Sequence, residues 1–324
     1  MIRATSANIR GWARMGQRGA FFGIAMPEIA AGCDRLKLLT ADLALLSGME
    51  RFRRQYPEKY INVGIAEQNM IGIAAGLAMC GDIVFATTYS SFIAVRSLEH
   101  IRQHMSHMGC NVKIVGTAAG VAAAKSGVSH WATEDLAFTR ALPNLQVLSA
   151  ADSLEAIRMA EHAVVHKGPV YIRLSGGMNC PIVYKEDISF EAGKLKKLRD
   201  GKDVAVIATG LMVAETMETA SILEEKGIQC AVYNMHTIKP IDRKGLKEIF
   251  DSYPLIVTAE EHNVLGGMGS AVAEYKAGFL NTPPQLFIGF RDTFTAAGSQ
   301  RFVWEQAGIT APQIASRILD WMMK

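Results

Sequence analysis

A carboxylate in an apolar helix is the first residue that could do chemistry. In "INVGIAEQNMIGIAAGLA", residues 61–78, Glu67 sits in the first turn, among Ile65, Ala66, Met70, Ile71, Ile73, Ala74, Leu77 and Ala78. A helix apolar on nearly every side is expected to be buried, and Asn62 in the preceding "NVG" turn is placed to cap it. An acid in a first turn gains about 0.3–1 kcal/mol from the helix dipole. A carboxyl in such a setting has a second use, because it can share a proton with a ligand held against it.

The other candidates are scattered along the chain. Phe92 and Arg96 lie one helical turn apart in "SFIAVR", and His130 lies in "SGVSHWATED". Taken alone, Phe92 reads as a core aromatic, Arg96 as part of a solvated helix face, His130 as a structural histidine and Asp42, in "TADLALL", as a strand-end acid. His100, His104 and His107 share one helix face by their spacing. No acid or cysteine close in sequence completes a zinc set, so the stripe suits an interface or a pocket wall. "EEHNVLGGMGSAVAE" lacks the full G-x-G-x-x-G spacing of a dinucleotide site and reads as a helix-packing turn.

Positioning these residues falls to an α/β framework. Short β-rich runs alternate with helical patterns: "DIVFATTYS" before "SFIAVRSLEHIRQHMSHM", "CNVKIVGTAAGV", "NLQVLSA" before "DSLEAIRMAEHAVVH", then "GPVYIRLS". Such alternation implies a mostly parallel sheet with helices on both faces, and ligands gathering at the carboxyl ends of its strands. A charged stretch, "YKEDISFEAGKLKKLRDGKD", has few large apolar residues, and a second β-α series follows it. The expected division is a first domain over 1–185, a linker over 186–200 and a smaller three-layer α/β domain over 201–324.

Composition narrows the function classes. The chain has 324 residues, 49% hydrophobic and 20% charged, with a formal net charge of +3. It carries no basic stripe interleaved with aromatics, which argues against nucleic acid as a partner. Its five cysteines are odd in number and free of C-x-x-C spacing, which suits a reducing compartment, and a cytoplasmic protein is expected. No apolar run is long enough for a membrane span. Arg3, Arg10, Arg14 and Arg18, with no acid among the first 18 residues, could suit a transit peptide. They read better as a basic lead-in to a first helix over about 19–31.

"YINVGIAEQNMIGIAAGLA" with "TTYSSF", and further on "DLAFTRALPNLQVLSAADSLEA", resembles the transketolases, above all the split kind in which this half is a separate polypeptide. The resemblance covers essentially the whole chain. It implies the thiamine-diphosphate pyrimidine-binding fold followed by the family's C-terminal domain. By this resemblance Glu67, in G-x-x-E-x-x-M, hydrogen-bonds a ring nitrogen of the aminopyrimidine of thiamine diphosphate. Phe92 stacks on that ring, Asp42 lies beside the cofactor, and His130 contacts the donor sugar near its reacting carbons.

The sequence also departs from the family. Ser126 stands where an acid recognises a donor hydroxyl, Ala118 where a histidine is usual, Trp131 where glutamine is common, and Gly176 where an arginine grips phosphate. Arg173 and Arg96 remain as candidate anion contacts. Substrates other than the usual pair of phosphorylated sugars are therefore expected. The G-D-G and asparagine motif that holds Mg2+ or Ca2+ and the diphosphate is missing, since "CGDIV" lacks the second glycine and lies in the wrong domain. A diphosphate-binding transketolase N-terminal-type subunit is the implied partner, in a heterotetramer of two copies of each chain.

The expected activity is transfer of a two-carbon ketol unit from a ketose to an aldehyde, with the chain alone inactive. A pyruvate-using relative, of the deoxyxylulose phosphate synthase or 2-oxoacid dehydrogenase beta type, is the alternative, and a catalytically silent subunit a third. "GIAEQNM" sides with transketolase.

Overall fold

Helical connections between successive strands force parallel pairing, and the chain builds two such sheets. The computed structural model describes residues 2–323. The first sheet contains β1 (Leu36–Thr40), β2 (Tyr60–Asn62), β3 (Ile83–Tyr89), β4 (Val112–Thr117), β5 (Gln146–Ser149) and β6 (Val170–Arg173). The second contains β7 (Lys196–Arg199), β8 (Val204–Ala208), β9 (Cys230–Asn234), β11 (Ile256–Asn263) and β12 (Gln285–Phe290). The remaining strand, β10 (Thr237–Lys239), leaves its neighbours in sequence and adds antiparallel to β5.

The spatial orders are β10-β5-β6-β4-β3-β1-β2 and β12-β11-β8-β9-β7. Apart from β10 and the antiparallel edge strand β7, all pairs are parallel. Central strands are covered on both faces: every residue of β4, β6 and β8 is buried. This is the mostly parallel two-domain α/β architecture that the alternation implies. In the first sheet the chain runs from β1 outward to β2, then crosses back to β3 and β4. The strand order thus reverses beside β1, the kind of place at a carboxyl edge where parallel sheets bind ligands.

Three local expectations change. The first helix begins at Ser6, not near residue 19: Thr5 caps it by accepting from the Asn8 amide at 3.3 Å. Ile9, Trp12 and Ala13 bury one face of it. Of the lead-in arginines, Arg10, Arg14 and Arg18 thus belong to an amphipathic helix, with Arg10 and Arg14 on its exposed side. Asn62 does not cap the helix Glu67–Met79. Its Oδ1 accepts from the amides of Asp42 and Gly64, both at 3.0 Å, and Ala66 is the cap residue. Nor is that helix buried all round. Met70, Ile71, Ala74 and Ala75 face the core, while Gln68, Asn69, Gly76 and Met79 are exposed.

The charged stretch expected as a linker is anchored rather than loose. Its residues 196–199 form β7. At its start the Tyr184 amide donates to Asp152 Oδ2 at 2.9 Å, and the Tyr184 hydroxyl donates to Glu155 Oε1 at 3.1 Å. Asn234, at the end of β9, donates to the same Glu155 oxygen at 2.8 Å. Burial pushes the Glu155 carboxyl up to about 7 and that of Asp152 up to about 6. Phe190 is held between two rings, His162 at 5.3 Å and His236 at 4.6 Å. Burial lowers both of these histidines to about 4; neighbouring His166 adds to the effect at His162, and Lys196 at His236.

A titration follows from those two rings. The unfolded chain protonates them near pH 6.5 and the folded chain only near 4, so their contribution is present above about 6.5 and is lost as pH falls towards 4. Glu155 and Asp152 act in the opposite sense over an overlapping range, so the test is a difference. Between pH 6.5 and 4, the Tm of the wild type is expected to fall relative to that of a His162→Gln, His236→Gln variant. Parallel Tm curves would show that the rings do not set the slope.

Candidate functional site

Candidates from distant parts of the sequence meet at the carboxyl end of the first sheet, because each follows a parallel strand. Glu67 comes after β2, Phe92 and Arg96 after β3, and His130 after β4. Glu67 is the first residue of its helix and is 4% exposed. The Arg96 guanidinium reaches it from the π-helical segment Ser91–Arg96, donating through Nη1 to Glu67 Oε1 at 2.9 Å. The same guanidinium lies over the Phe92 ring at 4.5 Å. Phe92 in turn meets the His130 imidazole edge-on, with centroids 5.4 Å apart. Tyr89 closes the group, 5.8 Å from Phe92 and 6.0 Å from His130.

The acid is therefore walled by a cation and an aromatic face, not by aliphatic groups alone. Arg96 is roughly half exposed, so the pair opens to solvent on one side. Ser129 Oγ lies 3.0 Å from His130 Nδ1 and orients the ring from within its own turn. Asp42, two residues past β1, is in a left-handed conformation (φ 61°), with its Oδ1 accepting from Asn62 Nδ2 at 2.9 Å. Ala118, just after β4, is also left-handed (φ 49°). Both lie in the loops just past their strands; Asp42 is eased by its polar side chain, whereas Ala118 has none and marks stored backbone strain. Ser126 is exposed in the tip of the loop that leads to His130.

Arg173 is a correction. As a substrate contact it would face the crevice, but the structure buries it to 1% exposure. Its Nε donates to Asp135 Oδ2 at 2.8 Å, and its Nη2 donates to the carbonyls of Ala132 at 3.1 Å and Glu261 at 2.9 Å. Tyr171 adds a hydroxyl donor to Asp135 Oδ2 at 2.5 Å. The residue thus joins the two domains and has a structural role.

Gly176 has no room for a side chain: a Cβ there would lie 2.6 Å from Cys180 Sγ and 2.8 Å from two carbons of Gln17. Gln17, fully buried, accepts from the Gly176 amide at 2.8 Å. The His100 and His104 rings stand 5.8 Å apart. Among the described residues no group of three or more His, Cys, Asp or Glu could hold a metal.

The sequence reading missed two features. Tyr89 was visible in "TTYSSF" as an aromatic three residues ahead of Phe92. The "EEHN" run, expected as a packing turn, is the buried seam between domains. Glu261 Oε1 accepts from Trp304 Nε1 at 2.7 Å, Gln300 Nε2 at 2.8 Å and the Val121 amide at 3.3 Å. Burial raises the Glu260 and Glu261 carboxyls above their usual range. His262 Nε2 accepts from the Leu136 amide at 3.1 Å while Nδ1 faces the Asn263 carbonyl at 2.7 Å, which assigns the proton to Nδ1.

The site is an open shelf. A groove of about 990 Å³ beside Trp12, Cys33 and Arg51 opens near the amino end of β3 and includes none of the candidates. Exposed apolar residues adjoin the candidates along the chain: Leu45 and Leu46 after Asp42, Ile65 before Glu67 and Val95 before Arg96, with Ile65 at 80% exposure.

Comparison with known proteins places this geometry. Residues 17–179 match the model of the transketolase pyrimidine binding domain, and residues 193–314 that of the transketolase C-terminal domain. A putative transketolase C-terminal section from Methanocaldococcus jannaschii is 39% identical over 94% of this chain and 95% of its own length. A 6-deoxy-6-sulfo-D-fructose transketolase subunit from Clostridium sp. is 38% identical over 89% of this chain and 88% of its own. A solved structure described as a split gene transketolase, inactive beta4 tetramer, superposes with a TM-score of 0.84 at 39% identity, covering 94% of this chain and 97% of that one.

Two substitutions test the assignments of Arg173 and Gly176. Arg173→Met leaves Asp135 buried without its cation and is expected to cost about 3–5 kcal/mol in urea denaturation. Gly176→Ala forces Gln17 and Cys180 apart and is expected to cost about 1–3 kcal/mol in the same experiment. Wild-type midpoints in either variant would refute the corresponding packing argument.

Proposed function

This chain belongs to the transketolase family, and from that premise we propose that it is the small subunit of a two-chain, thiamine-diphosphate-dependent transketolase. The observation that carries the reading is the convergence of Glu67, Phe92 and His130 on one shelf at the carboxyl ends of β2, β3 and β4. The reaction is movement of a two-carbon ketol unit from a ketose donor to an aldehyde acceptor.

The residues present fit the pyrimidine half of the cofactor. A flat guanidinium already satisfies the buried Glu67 carboxylate while lying on the Phe92 ring, so the slot accepts a planar group with an N–H edge. Glu67 would hold and share the proton at the ring nitrogen, and its burial excludes competing water. Phe92 would fix the ring's pose by stacking, worth about 0.5–1.5 kcal/mol beyond its area. His130, beside Phe92 and braced by Ser129, would move a proton at the donor's hydroxyl oxygens. Asp42, tied to Asn62, would line the cofactor's edge. When bound, thiamine diphosphate supplies the nucleophilic thiazolium carbon that accepts the two-carbon unit and passes it on.

The diphosphate and its Mg2+ or Ca2+ need a second chain. We assign them to an N-terminal-type subunit that covers the shelf and the exposed Leu45, Leu46, Ile65 and Val95, in a heterotetramer of two copies of each. The relative described as an inactive beta4 tetramer supports this dependence on a partner. On the substrate side, Gly176 and the buried Arg173 offer no phosphate grip, and Ser126 is neutral. Donors held by other contacts are proposed, in keeping with the relative named for a sulfonated sugar.

The domain limits 1–185, 186–200 and 201–324 remain our proposed division; β7, within the expected linker, joins the second sheet, and β10, within the expected second domain, joins the first.

The test is ketol transfer by the assembled pair of chains, following labelled carbon from a ketose into an aldehyde acceptor. Glu67→Gln is expected to lower transfer at least about 10²-fold, with a matching loss of hydrogen–deuterium exchange at the thiazolium carbon. Transfer that proceeds at wild-type rate in that variant, or label that enters product only from pyruvate, would refute the reading.

A further inference from the structure

Arg96 makes, by itself, the two contacts that the proposed function gives to the aminopyrimidine. Its Nη1 bonds to Glu67 Oε1 at 2.9 Å, and its planar carbon sits 4.5 Å from the Phe92 centroid. A guanidinium shares with a protonated or amino-bearing pyrimidine a flat π-system and an edge of N–H donors. The side chain can move, because it is roughly half exposed. Its backbone is tied independently, through the Arg96 carbonyl accepting from Gln68 Nε2 at 3.2 Å.

We propose that Arg96 is a place-holder: its guanidinium occupies the pyrimidine slot in the cofactor-free chain and leaves it when thiamine diphosphate loads. The inference rests on the transketolase reading above. In the free chain Arg96 keeps a buried carboxylate paired, so that Glu67 does not stand alone in a low-dielectric pocket. It also keeps the Phe92 face covered. On loading, the cofactor's ring takes over both contacts, and the guanidinium turns outward to the mouth of the shelf. The slot is held in shape throughout.

Competition of this kind has a sign. While Arg96 is in the slot the binding-competent fraction is reduced, and the apparent dissociation constant is raised by the same factor. A part-exposed ion pair and one cation–π contact together correspond to about a three- to tenfold effect. A residue that helps to bind the cofactor or substrate has the opposite sign.

The experiment titrates thiamine diphosphate, with Mg2+ present, into the assembled two-chain complex and reads heat or intrinsic fluorescence. Arg96→Ala is expected to tighten apparent binding about three- to tenfold. Arg96→Lys, which can pair with Glu67 but has no flat face to lay on Phe92, is expected to fall between. An unchanged or weaker constant in Arg96→Ala overturns the proposal. Crystal structures of the wild-type complex with and without thiamine diphosphate give a second readout that needs no variant. The guanidinium is expected on Phe92 without the cofactor and off it with the cofactor, and an arginine that stays put overturns the inference. A wild-type complex that binds no thiamine diphosphate sinks the transketolase reading itself, whereas normal wild-type binding with the wrong sign in the variant sinks only the place-holder.

Discussion

The buried pair of Arg173 and Asp135 is the interaction on which the two-domain arrangement depends. Both side chains are at most 1% exposed. Removing two ions from water costs several kcal/mol each, and only dense hydrogen bonding offsets it. Here Arg173 reaches both Asp135 oxygens and two carbonyls, and Tyr171 bonds to the same carboxylate. One of those carbonyls belongs to Ala132, two residues after His130, and the other to Glu261 in the second domain. The pair therefore anchors the base of the loop that delivers His130. Glu261 grips the same loop near its start through the Val121 amide. Gly120 is pressed so close to this carboxylate that a Cβ would sit 2.3 Å from Oε2, with φ at 61°. The second domain thus sets where a first-domain histidine stands.

That dependence explains why strain collects where it does. A parallel sheet presents its carboxyl edge as a row of strand ends, and each loop must leave steeply to reach the next helix. At β1 and β4 the exit is made by Asp42 and Ala118 in left-handed conformations, which cost of order 1–2 kcal/mol for residues with a Cβ. Such conformations persist only where the surroundings over-determine them. Asn62 supplies that constraint for Asp42, bonding to both its amide and its carboxylate. For Ala118 the neighbouring Ala119 amide donates to the Leu174 carbonyl at 3.2 Å, next to Arg173.

The alternation of strand and helix patterns carried the fold class, and the G-x-x-E-x-x-M run carried the position of Glu67, because both signals are local. What the sequence hid was every contact that depends on tertiary approach. Arg96 read as a candidate anion contact or a solvated helix face, since nothing in "SFIAVR" announces that a carboxylate 29 residues earlier lies 2.9 Å away. Arg173 read as a candidate anion contact because it remains close to the place where the family has a phosphate-gripping arginine and this chain has Gly176, and its partner, Asp135, lies 38 residues away in sequence. "EEHN" looked like a turn because its partners are distant in sequence: Glu261 and His262 reach the amides of Val121 and Leu136 in the first domain, while Glu260 accepts from Met268 and Gly269 in its own. The N-terminal helix was placed late because four arginines masked the Ile9, Trp12 and Ala13 spacing. The helix Glu67–Met79 looked buried all round because its exposed side carries glycine and methionine as well as polar residues.

An acid at the rim of a shared site sits in two different media. In the lone chain the Glu67–Arg96 pair faces water on the arginine side, where screening is effective and the ion pair costs little to maintain. In the assembly proposed above, a second chain laid over Leu45, Leu46, Ile65 and Val95 would remove that water. Coulomb attraction then strengthens, but desolvation of the guanidinium grows faster, and a charged side chain on a long stem gives way more readily to a weakly hydrated ring. On this reading assembly itself tilts the slot towards the cofactor. The physical reason to divide such an enzyme between chains without losing control is then visible in one side chain. The carboxylate stays paired with a cation until a planar ligand enters, and closing the site makes that exchange easier.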